Sequence, residues 1–383
     1  MLSVGLLTFF STYSLSYVST LTKERSDEKT SYSDLAAKFS KKLRTMVSMS
    51  LVVNSLVTSF SFTQTFLRIF LNTLRYNEYL NTLLDEKAHP VNCYIARALI
   101  LLIICSIYFY VFQLDNLASL SFFSQFSLFT AIFFSAVISL YGLFNPVSND
   151  QMSLPASESG LNLVDPLGAV IFALHCQFSY LDIFNSMKDT SLENVRNVTA
   201  IASIFATVLY GSVGFLGFKA VGAAVGNDPV IFHFASSSSS IVKDLTERYG
   251  IYLGGYLPKL LHSMFCPIFF SGNIFNMFSI TPILQNWLSI KGKPASRSTI
   301  AFLACAFLFV GSVKPVENLG SVFSIAGFLL TTPLSFLFPA LFVICASSKL
   351  NIMTVGSGIV ICLSVAIMIG LTLMKLNWLP LLK

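Results

Sequence analysis

Three runs of the chain, residues 117–144, 319–345 and 354–374, contain no charged residue. Each is long enough to cross the hydrocarbon core of a bilayer, which takes roughly 20 predominantly apolar residues in an α-helix. Backbone groups inside lipid have no water to bond, so such runs must fold as helices that satisfy their own N–H and C=O groups. Composition agrees with that constraint. The 383 residues are 54% hydrophobic and only 11% charged, with a mean hydropathy of +0.73, whereas a soluble domain carries about a quarter charged residues. The chain reads as an all-α polytopic membrane protein.

The same measure gives ten spans, at about 2–20, 45–71, 92–114, 117–144, 163–187, 198–222, 252–282, 298–313, 319–345 and 354–374, all within one transmembrane domain covering residues 1–383. The first is a true span rather than a signal peptide, since it lacks a basic start and a small-residue cleavage site. Residues 21–44 form a basic connector, "KERSDEKTSYSDLAAKFSKKLR" from Lys23, and the excess of Lys and Arg there places it on the cytoplasmic side. Residues 223–251 form a polar loop with a serine run at Ser236–Ser240, read as solvated and without function. The seven Cys make no CxxC pair and read as small reduced packing residues.

Polar side chains inside these spans carry the functional information, because they are expensive in lipid unless paired or facing a cavity. "VIFALHCQFSYLDIFNSMKD" (residues 170–189) places His175, Ser179, Asp182, Ser186 and Asp189 at spacings of four, three, four and three. On an unbroken helix that is one stripe. His175, Gln177 and Ser179 lie near its midpoint; Asn185, Lys188 and Asp189 belong to the cytoplasmic end. "SLVVNSLVTSFSFTQ" (Ser50–Gln64) carries Asn54, Ser55 and, from Thr58 to Gln64, five further polar residues. "HSMFCPIFFSGNIFN" (His262–Asn276) and "TTPLSFLFPA" (Thr331–Ala340) contain prolines inside apolar background. Proline frees backbone carbonyls, which is tolerated in a span where neighbours or a cavity satisfy them. Several interrupted, hydroxyl-rich spans in one bundle point to a transporter with a polar solute site near the midplane.

Other classes fare poorly. No Walker loop, HExxH, GxGD or GxSxG motif is present, and the four His are not spaced for a metal site, so the chain is read as not an enzyme and as holding no metal. A nucleic-acid binder needs a basic face on a folded soluble domain, and no soluble stretch is long enough for one.

"FALHCQFSYLDIFNSMKDTS" resembles the sixth span of the amino acid/auxin permease family, through Phe172-Ala173, Cys176, Ile183-Phe184 and Lys188-Asp189. "LYGSVGFLGFKAVG" (Leu209–Gly222), "SYSDLAAKFSKKLRTMVSMSLVVNS" (Ser31–Ser55) and "LGSVFSIAGFLLTTPLSFLFPALFVI" (Leu319–Ile344) are similar to further family segments, in the family's order. The resemblance implies a LeuT-type bundle of two inverted five-helix repeats plus one helix. It implies secondary active transport of amino acids by alternating access, with a proton or sodium ion as coupling ion and no other cofactor. The implied partners are a small-molecule amino acid and the lipid bilayer. The expected substrate contacts are Phe172, Cys176, Gln177, Phe178, Ser179, Asn54 and Ser55, and the expected coupling residues are His175 and Ser263.

Three departures accompany the resemblance. Gln177 stands where the family usually has His, with His175 two residues earlier. Phe265 and Cys266 flank Pro267 where a cation-binding hydroxyl is usual, leaving Ser263 as the nearest upstream. Aligning the motifs makes the span at 2–20 the family's second, so the first is expected to be missing, through an incomplete N-terminus in preference to degeneracy. The alternative function is a non-transporting sensor or interaction protein of the same fold, or a truncated inactive fragment.

Overall fold

The apolar runs fold as helices. The computed structural model describes residues 1–22, 30–75, 78–84, 88–113, 121–144, 164–222, 256–289, 294–316, 319–347 and 351–378, with isolated residues between 242 and 250. The helices are α1 (Leu2–Thr22), α2 (Tyr32–Ala37), α3 (Lys41–Leu74), α4 (Glu78–Leu83), α5 (Pro90–Val111), α6 (Ser121–Phe144), α7 (Val164–Ala173), α8 (Gln177–Ser186), α9 (Leu192–Val221), α10 (Tyr256–Ser263), α11 (Cys266–Trp287), α12 (Arg297–Ser312), α13 (Leu319–Ile325), α14 (Phe338–Ala346) and α15 (Ile352–Trp378). Two π-helical segments, Ala326–Thr331 and Pro333–Leu337, join α13 to α14.

Seven helical stretches are long and apolar enough to cross a membrane. The other three expected spans take different forms. α1 has the length, but its hydroxyls lower its hydropathy; α12 is shorter; and the stretch expected at 163–187 is two helices, α7 and α8, with Leu174–Cys176 between them. The basic connector also contains structure. Ser31 caps α2 by accepting from the Asp34 N–H at 3.2 Å, and Arg44, already inside α3, pairs with Asp34 at 3.5 Å. The serine run Ser236–Ser240 lies outside the described residues.

Burial is inverted relative to a water-soluble protein. On α1, Ser11, Thr12, Ser14 and Ser16 are buried while Leu2 and Leu6 are exposed; on α9, Ile201, Ile204 and Val208 are exposed. Lipid tails are as apolar as leucine, so outward leucine and isoleucine lose nothing, while inward hydroxyls find partners. These are the surfaces of an integral, multi-pass membrane protein.

The chain divides into two compact units. The first comprises Met1–Ser55, Ser159–Tyr210 and Ser321–Lys383, the second Leu56–Glu158 and Gly211–Gly320. In the first, Val4, Ile171, Leu174, Phe336, Ala340 and Val360 form the apolar core. α7 lies on the first π segment at backbone distance: a Cβ on Gly327 would stand 1.8 Å from the Gly168 carbonyl oxygen, and one on Gly168 would stand 2.4 Å from that of Ser324. Only glycine permits this approach. The Tyr32 hydroxyl donates to the Leu334 carbonyl at 2.6 Å, taking up one carbonyl of the second π segment.

In the second unit, Ile69, Phe134, Ile138, Ala220, Val221 and Leu261 form the core. Asn273, fully buried on α11, donates to the Thr63 hydroxyl at 3.0 Å and the Tyr108 hydroxyl at 2.9 Å. α10 and α11 meet at Met264–Phe265, and Pro267 sits in the first turn of α11. There its missing N–H leaves no helical bond unmade. All seven cysteines are free thiols.

Candidate functional site

Leu174, His175 and Cys176 leave the helical path between α7 and α8. No Gly or Pro lies in the segment to force this; side-chain bonds take the place of helical ones. The Cys176 N–H is accepted by Gln177 Oε1 at 3.0 Å instead of by a carbonyl one turn earlier. Cys176, the residue at the N-cap of α8, makes no side-chain cap bond. The first N–H groups of α8 have no intrahelical acceptor, so the break presents a positive helix end, beside the end of α7, where the Val170 and Phe172 carbonyls accept from Leu174 and His175.

His175 ties the break to its surroundings in the first unit. Its Nδ1 lies 2.6 Å from Ser335 Oγ and 3.2 Å from Gln177 Oε1, and its Nε2 lies 3.2 Å from Asn54 Nδ2. The Thr331 hydroxyl donates to Asn54 Oδ1 at 3.0 Å, which turns the Asn54 NH₂ group toward the ring. An amide NH₂ can only donate, so Nε2 accepts and the imidazole is neutral with its proton on Nδ1. That proton is shared between Ser335 Oγ and Gln177 Oε1. The network therefore runs from α3 through the imidazole to both π segments and back to the break. Ser11 of α1 adds a bond from its hydroxyl to the Ser335 carbonyl.

Two buried groups beside this network have no partner among the described residues. They are Gln177 Nε2, on a fully buried side chain, and Ser55 Oγ, next to Asn54 on α3. Buried polar atoms are nearly always bonded, so donors left over at a helix break point to a polar ligand.

The expected residues divide as follows. Asn54, His175 and Gln177 are joined by hydrogen bonds, and Cys176 is an exposed residue of the break. Ser179 bonds back to the Cys176 carbonyl at 3.4 Å. Phe172, on the last turn of α7, packs its ring on Phe323 at 5.1 Å between centroids. Phe178 lies in the first turn of α8, with its side chain outside those described. Ser263 belongs to the second unit, at the end of α10, where it is half-buried and bonds to the Leu260 carbonyl at 2.9 Å.

The stripe expected from His175 to Asp189 does not survive the break. Its spacing assumed one continuous helix, but α8 begins at Gln177 and ends at Ser186. Asn185 instead donates to the Thr30 carbonyl at 3.1 Å, and Asp189 accepts from the Ser191 N–H at 2.9 Å ahead of α9.

The sequence reading missed several members of the site. Ser335 and Thr331 are distant in sequence and look like ordinary membrane hydroxyls. Tyr180 bridges Ser16 at 2.6 Å and Thr199 at 2.9 Å, and only the tertiary contacts reveal it. Pro333 and Gly327 were the available signals for an irregular helix near Ser335.

A helical bundle with polar side chains turned inward, apolar ones turned outward and a helix unwound around a histidine defines a membrane transport protein. The sequence matches the model of the family described as transmembrane amino acid transporter protein over residues 1–376, and the chain belongs to that family. A search of curated proteins gave no match.

Proposed function

We propose that the chain binds a free amino acid at the α7–α8 break and carries it across the membrane by alternating access, driven by a proton or sodium gradient. The observation that carries this reading is the break itself, with the unpartnered Gln177 Nε2 at the start of α8. The N–H groups at the start of α8 suit a carboxylate, and the carbonyls ending α7 suit an ammonium group, following the half-helix logic of transporters with broken helices. Phe172, Cys176 and Phe178 are the proposed walls, with Ser179 and Asn54 as further polar contacts. His175 is the proposed coupling side chain for a proton, since a neutral imidazole in a hydrogen-bonded chain can accept one and pass it on. Ser263 is the proposed hydroxyl for a cation.

The test is uptake of radiolabelled amino acids by proteoliposomes with an imposed proton or sodium gradient. Uptake that depends on either gradient and falls when the gradient is collapsed is the expected result. Stabilisation by amino acids without flux would transfer the protein to the sensor reading. Neither flux nor stabilisation with any of the common amino acids would overturn the assignment of the break as a substrate site.

A further inference from the structure

Contacts at three levels fix α5 against α12 in the second unit, and the middle level joins two thiols. At one end Arg97 Nε donates to the Ser312 carbonyl at 2.8 Å. At the other, the Ser298 hydroxyl donates to Gln113 Oε1, just past α5, at 3.0 Å. Between them Cys105 Sγ donates to the Cys305 carbonyl at 3.6 Å, and Cys305 Sγ donates to the Cys105 carbonyl at 3.2 Å. Residue numbers rise on α5 as they fall on α12, from 97 with 312 through 105 with 305 to 113 with 298. That is an antiparallel pair in steady register. Steps of eight residues on α5 and seven on α12 are each about two helical turns, so the three levels share one seam. Ala301 and Ala304 are buried on the same stretch of α12, and small residues let helix backbones approach closely in a membrane.

Two side chains that each reach the other's main chain face one another across the seam, and the sulfurs are close enough to act on each other directly. A disulfide requires such facing residues, with Cβ atoms about 3.5–4.5 Å apart. Both cysteines are 8% exposed, so the seam is not sealed around them. The outer faces of the two helices at this level are apolar, with Leu102, Ile103, Phe302 and Leu303 exposed. A reagent that reaches the pair through this face arrives from the hydrocarbon of the bilayer.

We propose that Cys105 and Cys305 are a redox-active pair that an organic hydroperoxide from the surrounding lipid oxidises to a disulfide, stapling α5 to α12. The first thiol attacks the O–O bond, becomes a sulfenic acid and releases the alcohol; the second thiol displaces water from that sulfur as the S–S bond forms. Two thiols and one hydroperoxide give one disulfide, one alcohol and one water. The sulfurs lose two electrons and the O–O bond takes them up. With the facing thiol already in place, the sulfenic acid is captured before it goes on to the irreversible acids. A dithiol reductant reverses the step by exchange.

The experiment treats the full chain in liposomes with tert-butyl hydroperoxide, blocks the remaining thiols with N-ethylmaleimide and maps the peptides without reduction by mass spectrometry. Cys345 and Cys362 are exposed and report that the peroxide has reacted. The expected result is a linked peptide pair containing Cys105 and Cys305, which dithiothreitol separates. In detergent the oxidised chain unfolds several degrees higher than the reduced one, since closing a long loop removes entropy from the unfolded state. Dithiothreitol reverses that rise, and Cys105→Ala and Cys305→Ala abolish it. The unfolding temperature of each variant before oxidation shows that it has folded, and the linkage itself is read on the wild-type chain. Free Cys105 and Cys305 thiols after Cys345 and Cys362 have reacted overturn the proposal. So do a link from either residue to another cysteine, sulfinic acids in place of the disulfide, or a disulfide that leaves the unfolding temperature unchanged.

Discussion

The imidazole of His175 couples side chains that bond to opposite ring nitrogens, and a double-mutant cycle measures that coupling. Asn54→Leu removes the bonds from Thr331 and to His175, at 3.0 and 3.2 Å. Bonds between membrane helices contribute about 0.6 kcal/mol on average and about 1.7 at most, so the variant loses roughly 1–3 kcal/mol. Ser335→Ala removes the 2.6 Å bond at Nδ1 and loses about 0.6–1.7 kcal/mol on the same scale. The losses are not independent. Without the Asn54 NH₂ at Nε2, only the longer contact to Gln177 Oε1 favours the proton on Nδ1, and the bond to Ser335 weakens before Ser335 is touched. Groups in one hydrogen-bond network couple by about 0.5–3 kcal/mol, and the low end applies here because one link is shared. Reversible unfolding in mixed micelles, for wild type, both single variants and the double variant, gives the coupling directly. The same cycle in a His175→Leu background must give none. Additive losses with His175 present, or coupling that persists without it, would refute the network as drawn.

Three further outcomes follow from the geometry. Gly327→Ala places a methyl 1.8 Å from the Gly168 carbonyl oxygen; overpacking of this kind costs about 1–3 kcal/mol, so the unfolding temperature drops and uptake is lost, while Gly358→Ala, which meets nothing within 4 Å, leaves both unchanged. Asn273→Leu removes two buried bonds in the second unit and lowers the unfolding free energy by roughly 1–3 kcal/mol, as read by reversible unfolding in mixed micelles. Cys176 lies in the break at the N-cap of α8, so opening of the break to water during transport lets it react with a water-soluble maleimide in a variant with the other six cysteines replaced by serine. Saturating amino acid slows that labelling, as followed by mass spectrometry; equal rates with and without substrate would count against the break as the binding site.

Class and span positions were legible in the sequence because they rest on hydropathy, which sums over twenty residues and tolerates local error. The inward set was legible for a related reason. Asn54, His175 and Gln177 cannot face lipid, so their burial follows from their chemistry, and the structure joins them. A break near Cys176–Phe178 follows from the family resemblance, but the residues themselves mark neither its place at Leu174–Cys176 nor its consequences. The segment "FALHCQF" holds neither glycine nor proline, and the bond that replaces the helical one comes from Gln177, whose side chain would look equally at home in a continuous helix. Once the helix restarts at Gln177, a periodicity argument that crosses Cys176 loses its phase, which is why the His175–Asp189 stripe dissolves. Ser335 and Thr331 were invisible for the opposite reason. They lie 160 residues from His175 and 277 from Asn54, and hydroxyls in membrane helices are common enough that nothing marks these two.

Arg97 shows the limit from the other side. Its position in an apolar run is visible, and a buried arginine in a membrane helix is expensive unless it has a task. What the sequence hides is which groups hold it, for the bonds include the Ser312 carbonyl, 215 residues away, and the Gln64 amide. The imidazole of His175 is oriented in the same way by Asn54 and Ser335. In both places the chemistry of one residue dictates that it must be held, while its holders are carbonyls, amides and hydroxyls that are common in every span, so only the fold can pair them.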